Sequence, residues 1–499
     1  MSARVALSPN DSLWLNMDSP ENLMVIEGVM WFDEPLDPEA VTRALQERMV
    51  DRYPVFTWRP EHANVGLDHW VEDPDFDIER HITHHRLKGD GGREAMRKYL
   101  QSRMSEPLPR DRPLWQAYVL TGRNFGAVMM RFHHAIADGT ALVRVLLDLT
   151  TDTPSGDAEP EDALAALTGS DPRNHPAEPS PSMGPAPTDR MHPGLRDRAG
   201  RRLFQLATFP VAAGVAATNS AVNLVHMLDP DHRGSLTWRL ADQVAGTADA
   251  VDKLLLGTHE DVLLFGQPGL DKRADWAPAY DLNDVKRAAK ARGATVNDVM
   301  MAALAGALRR YVMARGEVPQ DVVTMIPVNL RAVDEPLPIH LGNKFALVAI
   351  ELPLSEPTPM ARLAASKARM DVIKYGPEAL LTFGLSHAIG AMGSVTETVS
   401  RRLTEFFSNK AIGVTTNVPG PTEVRYFAGQ EMVGILGWVP GASHQTLGAC
   451  IFSYNGMIRV GFKTDANVIP DVGNLVAAFN DEMADLFAEA VETPAAGKA

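Results

Sequence analysis

Two adjacent histidines, His133 and His134, stand in the stretch VMMRFHHAIADGTALVRVLLDL, residues 128–149, with Asp138 and Gly139 close behind. Imidazole is the side chain best suited to take and return a proton near neutral pH, so a firmly held histidine is a candidate general base. The pair closes an apolar run, residues 126–132, that reads as a strand, and Leu142, Val145, Leu146 and Leu149 then keep the three-four spacing of a helix's buried face. Ala135 to Gly139 join the two. Side chains alternate along a strand, so the two rings should point to opposite sides, and only one can be the working base. Asp138 can orient a ligand or fix the loop. Gly139 permits a backbone conformation or a close substrate approach that a Cβ would obstruct. The competing account is a polar turn satisfied inside a core; two histidines, a carboxylate and a glycine in this spacing weigh against it.

Asn297 is the other informative polar residue. With Met301, Leu304 and Leu308 it forms one helical stripe, so its amide should face the interior and need partners there; a capping or core hydrogen-bond role is the plainer alternative. Asp298 falls with Ala302 and Arg309 on a less apolar face near the helix start, where a carboxylate suits the dipole. A metal site built from His133, His134 and Asp138, completed by His81, His84 or His85, is disfavoured, because no recognised ligand spacing is present. Strand alternation in HITHHRL would put His81 and His85 on one face and His84 on the other. No serine elbow, phosphate loop or dinucleotide fingerprint occurs.

The elements that must carry these residues alternate irregularly, as an α/β chain in α+β layers does. Residues 24–32 read as a strand, and DPEAVTRALQERMVDRYP, residues 37–54, as a helix with Asp37 as N-cap and Pro38 at its first position. From Thr151 to about Gly194 the chain turns rich in Pro, Asp, Glu, Ser and Ala and reads as a linker. Residues 196–228 pair an arginine cluster with an uncharged run; ordinary packed helices are the leading account, an interfacial helix comes next and a membrane span last. Beyond residue 255, DLNDVKRAAKARG and TVNDVMMAALAGALRRYVMARG read as helices, and VVTMIPVNLR, NKFALVAIEL and GACIFSYNGMIRVGF as strands. This divides the chain into 1–150, a 151–254 linker and crossover, and 255–499.

Its 499 residues exceed one ordinary core and leave room for an apolar tunnel. The single cysteine, Cys450, excludes an internal disulfide and fits a reducing cytoplasm, and the first residues lack the apolar core of a secretory signal. A net charge of −15 argues against nucleic acid as a partner.

The ordered motifs resemble the bacterial wax ester synthase/diacylglycerol acyltransferase family, itself similar to chloramphenicol acetyltransferase and to peptide-synthetase condensation domains. HHAIADG fits HHxxxDG, RPLW precedes it, ATVNDVMMA fits the ND motif, and MIPVNLR, GNKFALVAIELP and TTNVPGP follow in order, so the likeness runs almost end to end. Asn329 and Thr416 stand where serines are expected, and Gly448 where many members carry asparagine. The resemblance implies two chloramphenicol-acetyltransferase-like lobes, mixed sheets flanked by helices, and an active-site tunnel between them. It makes His134 the general base for transfer of a long acyl chain from acyl-CoA, a co-substrate and not a cofactor, to diacylglycerol or a long-chain alcohol. No acyl-enzyme is expected. His133, Asp138 and Asn297 complete the site, with Asn297 as oxyanion donor, Asp138 paired to Arg331, and Gly139 and Asp298 in support. Peripheral contact with a membrane or lipid inclusion would come from residues 196–228. Two rivals remain: a condensation-type enzyme drawing on an acyl-carrier protein, and a noncatalytic lipid-surface protein.

Overall fold

The computed structural model describes residues 4–62, 68–89, 91–155, 262–331, 335, 337–375 and 411–492. The linker beyond Ser155 and the 196–228 segment lie outside these residues.

The first lobe is built on β2 (Val25–Phe32), β5 (Ile82–Arg86), β6 (Trp115–Thr121) and β7 (Gly126–His133). Every residue of β7 is buried, the mark of a strand covered on both faces. A small sheet of β1 (Arg4–Ala6), β3 (Trp58–Glu61) and β4 (His69–Glu72) packs beside it with helices α1 (Pro9–Met17), α2 (Pro38–Leu45), α3 (Arg93–Met104) and α4 (Gly139–Leu149). Asp37 caps α2 by accepting from Glu39 N at 3.1 Å, an interaction worth about 1 kcal/mol. The helix expected through residue 54 is α-helical only to Leu45; a wider turn follows, with Asp51 N bonding Gln46 O at 2.9 Å.

The second lobe centres on β8 (Lys272–Trp276), β9 (Tyr280–Asp281), β10 (Val322–Asn329), β11 (Phe345–Leu352), β12 (Gly413–Pro419), β16 (Leu447–Tyr454) and β17 (Met457–Asp465), ordered β11-β10-β12-β16-β17-β8 with β9 on β17. The run read as one strand around residue 455 is a hairpin: Asn455 and Gly456 both take positive φ, 47° and 71°, as a two-residue turn requires. Helices α5 (Leu282–Ala291), α6 (Val296–Met313), α7 (Pro359–Tyr375) and α8 (Val472–Glu492) cover this sheet. A short hairpin, β13 (Tyr426–Phe427) with β14 (Gln430–Glu431), leads into β15 (Gly434–Trp438).

Strand β15 crosses over and pairs with β2, giving the first lobe the order β15-β2-β7-β6-β5. A boundary at residue 150 therefore divides the sequence and not the sheets. Lys463 Nζ of β17 donates to Glu27 Oε2 of β2 at 2.8 Å, both groups buried, so a charge pair as well as a strand ties the lobes together.

Candidate active site

Helix α1 starts at Ser8, whose hydroxyl accepts from Asp11 N at 3.1 Å and donates to Asp11 Oδ2 at 2.7 Å. A spacing of three puts Asp11 and Trp14 on one helix face. Trp14 stacks on His134 with ring centroids 4.0 Å apart and planes at 10°. From the other lobe, Leu341 and Gly342 take positive φ of 55° and 70°, a turn suited to glycine, and bring the residues before β11 onto the histidine loop. Gly342 N donates to Ile136 O at 2.9 Å and Lys344 N to Asp138 Oδ2 at 2.9 Å.

Between these two contacts lies Asn343. Its Nδ2 donates to Asp11 Oδ1 at 2.7 Å and to the His134 carbonyl at 2.8 Å. A carboxylate and a carbonyl only accept, so the amide's orientation is fixed. Its Oδ1 then lies 3.0 Å from His134 Nδ1, which must carry the ring's proton. Nε2 keeps its lone pair. Burial pushes the ring's pKa down to about 4, against the opposite pull of its own carbonyl, Asp138 and Asn343, so His134 is neutral at pH 7. Burial also raises Asp11 to about 6, resisted by hydrogen bonds from Ser8 and Asn343.

His134 lines a cavity of about 330 Å³ between the lobes, with Trp14, Phe132, Phe345, Thr416 and Cys450 among its walls. His133 points elsewhere, as strand alternation predicts. Its Nδ1 accepts from Ala135 N at 3.1 Å, so its proton sits on Nε2, 3.8 Å from Asp18 Oδ1. Burial holds its pKa well below the ordinary range. It is a neutral packed ring that shapes the loop.

Asp138 fixes the loop instead of orienting a ligand: Oδ1 caps α4 by accepting from Ala141 N at 2.8 Å, and Oδ2 takes Lys344 N. Arg331 faces Asp138 at 3.7 Å, an ionic contact, and spends its hydrogen bonds on the carbonyls of Leu341 and Gly342 at 3.2 and 3.3 Å. Gly139 has no positive φ, so no backbone conformation demands it; among the described residues a Cβ there would meet nothing within 4 Å, and the residue borders the cavity.

Asn297 is buried as its stripe predicts, yet the interior it faces is that of the second lobe. Its Oδ1 accepts from Asn417 Nδ2 at 3.3 Å and its Nδ2 lies 3.9 Å from Met370 Sδ, so it backs β12 and does not border the cavity. The expected less apolar face of Asp298 is also corrected: this residue is fully buried, because α6 is covered nearly all round, and it accepts from Thr295 N at 2.8 Å in a reciprocal capping box. Val414, Thr416 and Val418 alternate on one face of β12 and border the cavity, as Asn417 also does, so this strand brings the Thr416 hydroxyl and the Asn417 amide to the cavity wall.

Sequence reasoning missed Asp11, Trp14 and Asn343. The available signal was a serine three residues ahead of an aspartate that is itself three ahead of a tryptophan. Among the described residues no group of three or more His, Cys, Asp or Glu side chains is placed to hold a metal ion. His81 sits in the turn before β5, with Nδ1 2.9 Å from the Trp115 carbonyl, and so shares no strand face with His85.

The family model for the wax ester synthase/diacylglycerol acyltransferase catalytic domain matches residues 7–300, and the one for its C-terminal domain residues 341–487. The chain belongs to the wax ester synthase/diacylglycerol acyltransferase family. A putative diacylglycerol O-acyltransferase of Mycobacterium tuberculosis is 25% identical over 511 residues, 97% of this chain and 90% of that one. The solved wax ester synthase/diacylglycerol acyltransferase of Marinobacter aquaeolei shares the fold, with TM-score 0.64 at 18% identity over 98% of this chain and 100% of the other. So does the first condensation domain of the calcium-dependent antibiotic synthetase, with TM-score 0.56 at 17% identity over 99% and 98% of the two chains. In this member of the acyltransferase family the HHxxxDG loop is the His133–Gly139 connection between β7 and α4, and GNKF is the segment that clamps it.

Proposed function

We propose that this acyltransferase moves a long-chain acyl group from acyl-CoA directly to the hydroxyl of diacylglycerol or a long-chain alcohol, with His134 as general base. The observation that carries this reading is the Asp11–Asn343–His134 chain, which leaves Nε2 unprotonated on a ring bordering an apolar cavity between the lobes. The acceptor oxygen attacks the thioester carbonyl carbon as its proton passes to Nε2. The carbon–sulfur bond then breaks, and the imidazolium returns that proton to the CoA sulfur. A depressed pKa makes the imidazolium a strong acid, which suits the second transfer. The developing oxyanion needs a donor, and the Thr416 hydroxyl is better aimed than the Asn297 amide. Asn297 acts through Asn417, as a positioning residue. No cofactor beyond the co-substrate is required.

Attachment to a membrane or lipid inclusion through residues 196–228 belongs to the same proposal; among the described residues no helix is long and apolar enough to cross a membrane. Polar replacements of Leu203, Phe204 and Phe209 should lower recovery in the lipid fraction. The activity itself is tested by incubating the purified chain with labelled palmitoyl-CoA and either acceptor and separating the neutral lipids. Labelled triacylglycerol or wax ester is expected; label taken only from an acyl-carrier donor would favour a condensation-type enzyme.

A further inference from the structure

Strand alternation sorts the cavity wall into rows. On β2, Ile26, Gly28 and Met30 share a face, and all three border the cavity. The register sets Gly28 opposite Met130 of β7 on one side and opposite Gly437 of β15 on the other. Neighbouring rows carry bulk: Met30 lies between Val128 and Ile435, and Ile26 lies beside Phe132. The middle row runs from Met130 into two residues without side chains, a notch two strands wide. Neither glycine has a positive φ. Among the described residues a Cβ on Gly28 would meet nothing nearer than the Leu436 carbonyl oxygen at 3.9 Å, whereas one on Gly437 would stand 3.3 Å from the Glu27 carbonyl oxygen and 3.6 Å from Cys450 Sγ. Glycine weakens a strand interior, and close approach by a ligand is a reason to find it there.

We infer that Gly28, with Gly437 beside it, sets the length of the fatty acyl chain accepted from the thioester donor. The inference rests on the acyl-transfer reading and adds where the chain lies. Val25, three residues before Gly28, pairs with His133. At about 3.3 Å per residue the notch is therefore roughly 10 Å along β2 from the histidine corner. A thioester carbonyl at His134 can run its tail down this row, between Met30 and Ile26, into space that a larger residue would fill. A notch one row wide takes a single unbranched chain. Diacylglycerol carries two chains, while acyl-CoA serves both acceptor classes, so the donor's tail is the occupant; a long-chain alcohol is the competing single chain.

The test uses full-length Gly28→Val and the smaller Gly28→Ala, with thermal melting to verify folding. Values of kcat/KM are measured from octanoyl- to stearoyl-CoA with one acceptor, then for a graded alcohol series with one donor. Free fatty acids of the same lengths, titrated against tryptophan fluorescence, report occupancy without turnover; Trp14 and Trp438 border the cavity. Gly28→Val should lower kcat/KM for long donors relative to octanoyl-CoA by about four-fold per displaced methylene, the equivalent of ~0.8 kcal/mol of lost apolar burial. Gly28→Ala should shift the ratio less, in the same direction, and fatty-acid binding should show the same cut-off. A shift confined to the alcohol series overturns the inference, and so does an unchanged length preference in both folded variants. A length cut-off that moves in the binding assay, in a wild type that transfers nothing from acyl-CoA, would uphold the notch and sink the acyl-transfer reading.

Discussion

Replacing Asn343 with alanine removes the acceptor that decides which nitrogen of His134 carries the proton. Three side-chain hydrogen bonds disappear: 2.7 Å to Asp11, 2.8 Å to the His134 carbonyl and 3.0 Å to Nδ1. At about 1 kcal/mol each, the folded state should lose roughly 3 kcal/mol. The catalytic effect is separate. A buried hydrogen bond worth about 1–3 kcal/mol biases the two neutral tautomers by roughly five- to 150-fold, so its loss lets both be populated and should lower kcat by about two-fold. KM should barely change, because no cavity-lining residue is altered. The stack on Trp14 still holds the ring, which limits the damage. Steady-state kinetics with palmitoyl-CoA, alongside 15N shifts of labelled imidazole, would read rate and tautomer together. A folded variant with wild-type kcat and an unchanged Nδ1–H signal would refute the positioning argument.

His134→Ala should remove about 10²- to 10⁴-fold of turnover, the usual contribution of a general base, while His133→Ala should lower melting temperature more than kcat; a folded but dead His133 variant beside an active His134 variant would invert the assignment. Asp11 gives a pH signature. Its folded pKa, about 6, lies above the unfolded 3.8, so the native state binds the extra proton and stability falls as pH rises through that window. Asp11→Asn should therefore gain on wild type by up to about 3 kcal/mol between pH 4 and 7 in urea melts, and a flat difference would contradict the burial argument. Asp138→Ala loses the α4 cap and the Lys344 contact and strands Arg331, for roughly 2–4 kcal/mol. Adding Arg331→Met should cost less than the sum of the singles, and strict additivity in the cycle would mean that the 3.7 Å pair does not couple.

The strand–loop–helix frame of the histidine pair could be read from the sequence, because alternation and three-four spacing are local signals. So could the opposite facing of His133 and His134, the Asp37 cap, and the inward stripe of Asn297. What escaped is what long-range pairing decides. Asn343 meets His134 across 209 residues and Asp11 across 332, and no periodicity reports either contact. The crossing of β15 was hidden for the same reason: a five-residue strand shows its own pattern and not its partner. The Asn297 stripe told inside from outside but not which of two interiors, so its place behind β12 could not be read. Asp298 misled because a helix covered nearly all round has no polar face to assign.

The central claim is direct transfer from donor to acceptor, with His134 moving the proton and no acyl group resting on the protein. Cys450 borders the cavity and is the one alternative thiol, but burial pushes its pKa up to about 12, which leaves almost no thiolate at pH 7. The decisive measurement gives purified protein radiolabelled palmitoyl-CoA without acceptor, denatures it and counts protein-bound label, with initial-rate plots for both substrates and Cys450→Ser in parallel. Direct transfer predicts no label on the protein, intersecting plots and most activity kept in the variant. Stoichiometric label that survives denaturation, together with parallel plots, would establish an acyl-enzyme and contradict the account.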